Sequence, residues 1–433
     1  MDHPACIYRV PGQMRNVKPD AYTPRMVLIG PLHRPVKLKP GHKKNEYTKM
    51  DEKKVKYLES FTERVGEDIV KEIEETIRKE EANIRASYAE PLEWISPEDL
   101  VDLVLKDSIF IMEFSIKLQE SRGSSGDPIV DNEIHTANVI GDLIMLENQL
   151  PYFIFDKSFG PYLMEFLGYE TPGQLFLELF SLHTKIKTNT NFNHFTDMFR
   201  CVYEESLDQS PKLMIGPAIE EMESAQNLSR VGVDFKAFHL LNSTKLDGIN
   251  RLFFRNQEPL DSISIRKEEA DNYSLHMEFN KGCLVMSSFR TDDTSDKVLR
   301  NVIAYEQCHA NVEKFTSNYI HFLNFLITKD KDVELLKKEG VLTNGGGRPR
   351  LTVDMVNKLK IGLIESKTSQ YHSIAVNLRA HYTSRRKRCW ATLNKVYFKD
   401  LWTGTATMAA ILLLFFTLVG SAASVIQAYT SFN

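Results

Sequence analysis

The chain has 433 residues, a hydrophobic content of 42%, a charged content of 26% and a formal net charge of −4. This composition excludes global disorder, and the slightly acidic balance gives no reason to expect a nucleic acid as partner. The five cysteines are widely spaced and form no CxxC motif, so a disulfide scaffold and a zinc knuckle are both disfavoured.

The first 48 residues are rich in proline, glycine and basic side chains, which predicts an extended, turn-rich arm rather than a helix. Apolar residues such as Tyr8, Val10 and Ile29 are spaced along this segment. We therefore expect residues 1–48 to form an N-terminal arm that docks on the body of the protein.

Most of the body, residues 49–393, has the apolar periodicity of amphipathic helices. Gly66 interrupts the first pattern, and Ser96 followed by Pro97 is typical of a helix start. The predicted helices cover 50–88, 96–120, 138–149, 160–207, 299–326 and 353–393.

Between Val231 and Phe289 the pattern changes to short, partly alternating segments with turn residues between them. Such segments predict several short strands. The predicted fold class is therefore mainly α with a small β insertion (α+β), in a helical body.

The C-terminal residues 401–433 contain no charged side chain, and Ala406–Val419 is almost continuously apolar. This pattern predicts a C-terminal single transmembrane helix of about 20 residues, with 394–433 as juxtamembrane segment and anchor. A helix buried in the globular core is the alternative.

A basic run precedes this stretch, and a polybasic segment beside a span is expected to contact anionic lipid. By the positive-inside rule, the basic run places the body in the cytosol. We therefore expect a single-pass protein of the plasma membrane that contacts the bilayer through residues 401–429. Sequons at Asn227, Asn242 and Asn272 would matter in the opposite orientation, so the sidedness stays open. The basic residues are Arg385, Arg386, Lys387 and Arg388.

The sequence contains no HExxH, GxSxG or CxxC motif, and its GGG run is not followed by GK[ST]. It therefore predicts no catalytic centre, no cofactor and no metal. Glu147 and Glu306 lie among apolar residues, and we interpret both as structural carboxylates that are satisfied by neighbouring groups. The alternative is that they are catalytic, with His33 as a third candidate group.

An ordered set of segments resembles the plant DUF247 family, also called UPF0481. The set comprises IYRVP at 7–11, IGPLH at 29–33, DSIFIMEF at 107–114, LENQLP at 146–151, the segment 224–235, and LRN with YE at 299–306. Leu32 replaces a usual aromatic residue and Ser108-Ile109 replace a common Gly-Cys, which are changes of packing. The resemblance implies structural roles for Gly30, Pro31, His33, Glu147, Asn148, Gln149, Pro151, Asn301 and Glu306.

The resemblance also implies a plant protein that is associated with a membrane and has no defined enzyme activity. Some grass members of the family are implicated as pollen-side determinants of self-incompatibility. We therefore expect a non-enzymatic, membrane-anchored recognition or signalling protein that binds another protein. The most specific form of this hypothesis is a pollen-side determinant of self-incompatibility. The protein could also form an oligomer. The alternative is an uncharacterised membrane-associated enzyme that uses Glu147 and Glu306.

Overall fold

The computed structural model describes residues 5–34, 44–120, 126–182, 192–207, 215–238, 274–343, 347–364, 366–384 and 401–432. Over these residues the chain is mainly helical and has a few short strands. The buried apolar side chains from the arm, the helices and the strands belong to one hydrophobic core.

Residues 5–34 form an arm whose regular structure is limited to helix α1 (Gly12–Arg15) and a 3-10 turn at Pro19–Tyr22. Its apolar side chains are nevertheless buried, among them Ile7, Val27 and Ile29. Because α2 begins at Lys44, the last residues of the predicted arm belong to a helix instead.

A first group of helices packs around one long buried helix. Helices α2 (Lys44–Val65) and α3 (Glu67–Lys79) both lie against α5 (Pro97–Glu120), which is buried on most of its surface. The other helices of this group are α4 (Glu81–Ala86), α6 (Glu133–Leu143), α7 (Phe153–Leu167), α8 (Pro172–Leu179) and α9 (Phe195–Leu207).

The second half combines helices with short strands. Strands β2 (Asp234–Phe238), β3 (Met277–Asn280) and β4 (Cys283–Ser287) form a sheet in the order β2-β4-β3, with β2 parallel and β3 antiparallel to β4. Shorter pairs join β1 (Gly216–Pro217) to β7 (Thr368–Ser369) and β5 (Phe289–Arg290) to β6 (Leu342–Thr343). The helices are α10 (Ala225–Arg230), α11 (Asp293–Cys308), α12 (Phe315–Leu326), α13 (Asp330–Lys338), α14 (Pro349–Lys360), α15 (His372–Thr383) and α16 (Leu401–Phe432).

Helix α11 joins the two halves. It contacts α9 of the first group, α12 and α14 of the second, and the 3-10 turn of the arm. Its buried face therefore provides positions from which side chains can reach both the arm and the loop after α6.

Several predicted helices end earlier or are divided in the structure. The pattern at 160–207 is divided among α7, α8 and α9, and the pattern at 299–326 between α11 and α12. The helix predicted at 138–149 ends at Leu143, because the Asn148 and Gln149 side chains donate to the carbonyl oxygens of Asp142 and Leu143. The helix predicted at 353–393 is divided into α14 and α15, and Gly362 turns the chain between them with a φ of +86°.

The predicted C-terminal transmembrane helix is wrong. Residues 401–432 form α16, but over the described residues no helix is long and apolar enough to cross a membrane.

The fold class is therefore corrected to a mainly helical protein with a few strands and without the transmembrane helix. The predicted single-pass localisation in the plasma membrane is contradicted for the same reason. The expected bilayer contact through 401–429 depended on that helix. The basic run at 385–388 lies outside the described residues.

Gly66 divides the helix predicted at 50–88 through its backbone conformation. Its φ of +93° and ψ of 154° fall in a region that residues with a side chain avoid. The apolar stripe continues on both sides of the break, where Phe61, Ile73 and Ile77 are buried.

We predict that Gly66→Ala lowers the free energy of unfolding by about 1–3 kcal/mol, because alanine is strained in this conformation although the space around it is open. Gly12→Ala is the matched control, since Gly12 also has open space but no positive φ, and it should change stability by less than about 0.5 kcal/mol. Urea denaturation measures both. Equal effects of the two substitutions would contradict the backbone explanation.

Candidate functional site

Most of the motif residues meet where the arm crosses the body. Buried polar side chains of the body bond to backbone groups of the arm, and we call five of them the arm clamp. Its members are Asp107, Asp142, Glu147, Asn148 and Asn301.

Asp142, in the last turn of α6, holds three consecutive amides of the arm. Its carboxylate accepts hydrogen bonds from the backbone N–H groups of Arg25 at 2.9 Å, Met26 at 2.7 Å and Val27 at 2.9 Å. Burial raises the pKa of Asp142 to about 6, although these three hydrogen bonds act in the opposite direction.

Asn148 uses both ends of its amide on the next part of the arm. Its Oδ1 accepts from the Ile29 N–H at 2.8 Å, and its Nδ2 donates to the carbonyl oxygens of Val27 at 3.1 Å and Asp142 at 3.0 Å. An amide is needed here because a carboxylate could not donate and an aliphatic side chain could do neither.

Gly30 brings the arm close to the body. A Cβ at this position would lie 2.4 Å from the Gln149 carbonyl oxygen, and the φ of +65° also favours glycine. The Gly30 N–H donates to Asp107 at 2.8 Å. Asp107 forms a buried ion pair with Lys54, which also donates to the Leu28 carbonyl oxygen.

Glu147 fixes the start of the arm. Its carboxylate accepts from the Val10 N–H at 2.6 Å and forms ion pairs with Arg9 at 3.4 Å and with Arg15. His33 Nε2 lies 3.7 Å from the same carboxylate. The Glu147 side chain is only 1% exposed, so arm residues surround this carboxylate.

Gln149 and Pro151 order the loop after α6. Gln149 Nε2 donates to the carbonyl oxygens of Leu143 at 2.6 Å and Met145 at 2.8 Å, and its Oε1 accepts from the Phe195 N–H at 2.9 Å. The buried Pro151 lies two residues before the start of α7, and its carbonyl oxygen accepts from the Ile154 N–H at 3.2 Å.

Asn301 and Glu306 extend the network along α11. Asn301 accepts from the Leu146 N–H at 3.0 Å and donates to the Ala21 carbonyl oxygen at 3.0 Å. Glu306 instead accepts from the N–H groups of Thr316 and Ser317 at the start of α12, each at 2.8 Å. Burial raises the pKa of Glu306, and these hydrogen bonds lower it in part.

The three candidate groups for catalysis do not converge. His33 and Glu147 are in contact, whereas Glu306 is directed at the start of α12. Two described cavities, of about 420 and 320 Å³, are lined by other residues. Within the described residues, no group of three or more His, Cys, Asp or Glu side chains could hold a metal ion.

The model of the family DUF247, described as "Plant protein of unknown function", matches residues 7–416. This chain belongs to the DUF247 family. The resemblance seen in the sequence is thereby confirmed.

Two proteins of Arabidopsis thaliana are similar to this DUF247 chain over most of their length. UPF0481 protein At3g47200 is 22% identical, and the alignment covers 98% of this chain and 86% of that protein. Putative UPF0481 protein At3g02645 is 24% identical, with 94% and 88% covered. No solved structure matches the chain.

Three residues of the DUF247 site were not identified from the sequence as functional groups: Lys54, Asp107 and Asp142. Each is a charged residue that lies on the buried face of a helix. The available signal was a charge in an otherwise apolar position, which requires a partner when it is buried. The partners lie on the arm or on other helices, so the sequence alone could not name them.

We predict that Asn148→Asp lowers the free energy of unfolding of this DUF247 protein by about 2–4 kcal/mol. The isosteric change removes the donors to the Val27 and Asp142 carbonyl oxygens and buries a second carboxylate. Urea denaturation measures the loss. Asn324→Asp, on a pair with Asn357 at the surface, is the control and should cost less than about 0.5 kcal/mol; a comparable loss there would contradict the role of the clamp.

A pH dependence follows from the raised pKa of Asp142. The folded pKa of about 6 lies above the ordinary aspartate pKa of 3.8, so this group adds stability as the pH falls through about 6, and this contribution is lost as the pH rises. The unfolding free energy of the wild type minus that of Asp142→Asn should therefore increase from pH 7 to pH 4. A difference that is constant over this range would show that Asp142 does not titrate in this way.

Proposed function

We propose that this protein is not an enzyme and that it acts by binding another protein. The observation that carries the proposal is the use of the buried carboxylates. Asp142 and Glu147 bind amides of the arm, and Glu306 binds amides of α12, so their acceptor sites are directed into the fold rather than into an open cavity.

A groove beside the clamped arm is the surface that we propose for recognition. It has a volume of about 420 Å³ and lies between the first part of α2 and the first part of α5, next to Arg34 of the arm. Val55 on its wall is 41% exposed, which offers apolar contact to a partner.

The charges of this groove favour a basic partner segment. Its floor contains the buried ion pair of Lys54 and Asp107, which is nearly neutral as a unit. The acids of its rim outnumber the remaining cations, Arg34 and Lys106. The rim acids are Asp51, Glu52, Asp99 and Asp102. Complementary charges steer association and select partners.

The finer prediction of a pollen-side self-incompatibility determinant is supported by the family resemblance alone. It would make the partner a recognition protein of the pollination reaction.

The alternative of an enzyme has one observation in its favour, the contact between His33 and Glu147. The same carboxylate is enclosed by Arg9, Arg15 and the Val10 amide, which leaves little room for a substrate. We therefore prefer the binding function.

The test uses a fluorescent peptide of alternating lysine and leucine, with fluorescence anisotropy as readout. We expect saturable binding that weakens with salt, and a further weakening of about three- to tenfold in Glu52→Gln/Asp102→Asn, because two rim charges are lost. Glu334→Gln/Glu339→Gln removes the same charge from exposed positions on and after α13 and should bind as the wild type does.

A peptide in which glutamate replaces lysine should not bind. Equal binding by the groove variant and the wild type would contradict the proposed surface. If the α13 control weakened binding to the same extent, the weakening would result from the change in net charge and not from the groove.

A further inference from the structure

A second cavity, of about 320 Å³, lies where the arm, α6 and the start of α11 meet. Lys18 and Arg25 line it from the arm, Gly141 from α6 and Lys297 from α11. Its size is at the lower end of small-molecule pockets, which measure roughly 300–1,000 Å³.

Lys297 is the unusual member of this lining. Its ammonium group makes no hydrogen bond or ion pair with any residue that the structure describes. A Cβ on Gly141 would lie 2.6 Å from its Nζ atom, so the ammonium group rests on bare helix backbone. Burial lowers the pKa of Lys297; the Asp142 carboxylate opposes this shift, while Arg25 and Lys18 add to it.

Most of the other charged side chains that line the cavity already have ion-pair partners. Lys18 bonds to Asp296 at 2.7 Å and lies 3.5 Å from Asp293, and Asp296 also bonds to Arg300 at 3.0 Å. Among the described residues, the Arg25 guanidinium forms no ion pair. Arg25 and Lys297 therefore remain available to an anion.

Asp20 also lines the cavity and is exposed at the surface, where it is an opposing charge. The buried Asp142 carboxylate is a second opposing charge near Lys297, but its oxygens accept hydrogen bonds from three backbone N–H groups of the arm. Among the groups without such partners, two cations face the single Asp20 carboxylate, which suits the site to one negative charge. Ala21, Ala137 and Ile140 supply apolar contact beside the cations.

We propose that this cavity binds a small organic carboxylate, with its anionic head on Lys297 and Arg25 and its apolar body against Ala137 and Ile140. The carboxylate would supply the acceptor that the half-buried ammonium group lacks, and burial of the apolar body would add affinity. The inference does not depend on the protein-binding groove, which other residues form.

The experiment titrates the full chain with 2-naphthoate by isothermal calorimetry, with 2-naphthamide and inorganic phosphate as comparison probes. We expect 2-naphthoate to bind with a Kd below about 1 mM, and the uncharged amide and the phosphate to bind at least about tenfold more weakly. The amide tests whether binding needs the negative charge, and phosphate tests whether binding needs the apolar body.

Two variants test the residues. Lys297→Met should weaken 2-naphthoate binding about tenfold or more, since it keeps the side-chain length and removes the charge. Gly141→Ala should weaken binding severalfold by displacing the ammonium group, while the flexible side chain can move without disturbing the fold. Lys337→Met, at an exposed position of α13, is the matched control and should bind as the wild type does.

Thermal unfolding confirms that each variant is folded before it is titrated. The proposal is overturned if 2-naphthoate shows no saturable binding to the wild type, if the amide or phosphate binds as tightly, or if folded Lys297→Met keeps the wild-type affinity.

Discussion

The structure depends on how the backbone amides of the N-terminal arm are satisfied. An arm with little helix or strand of its own leaves its N–H groups without the usual partners, and a buried N–H without an acceptor is costly. Buried side chains of the body supply the acceptors: Asp142 serves three consecutive amides, and Asn148, Asp107 and Glu147 serve others. Apolar burial of Ile7, Val27 and Ile29 then holds the arm in the core.

This arrangement connects parts of the chain that are far apart in sequence. Asn301, on α11, bonds both to the arm at Ala21 and to the loop after α6 at Leu146. Loss of the arm would therefore expose polar groups on two sets of helices at once. We infer that the arm is an integral part of the fold and that the motif residues serve this structural purpose.

The clamped arm also shapes the two cavities. Arg34, which pairs with Asp51 and Asp107, forms one wall of the acidic groove. Arg25, whose backbone amide is bound by Asp142, reaches the cavity of Lys297. Fixed backbone at these two points positions the side chains that line the two proposed binding sites.

The sequence by itself determined the helical periodicity of the body, the break at Gly66, the proline-rich character of the arm and the family. It did not locate the end of α6, since Asn148 and Gln149 act on carbonyl groups that only the folded loop brings near. It also suggested a transmembrane helix at the C-terminus, whereas over the described residues no helix is long and apolar enough to cross a membrane. Tertiary structure decided which backbone N–H group donates a hydrogen bond to each buried carboxylate, for example Val10 to Glu147 and Gly30 to Asp107. Such bonds join residues that are distant in the chain, so they leave no periodic pattern in the sequence.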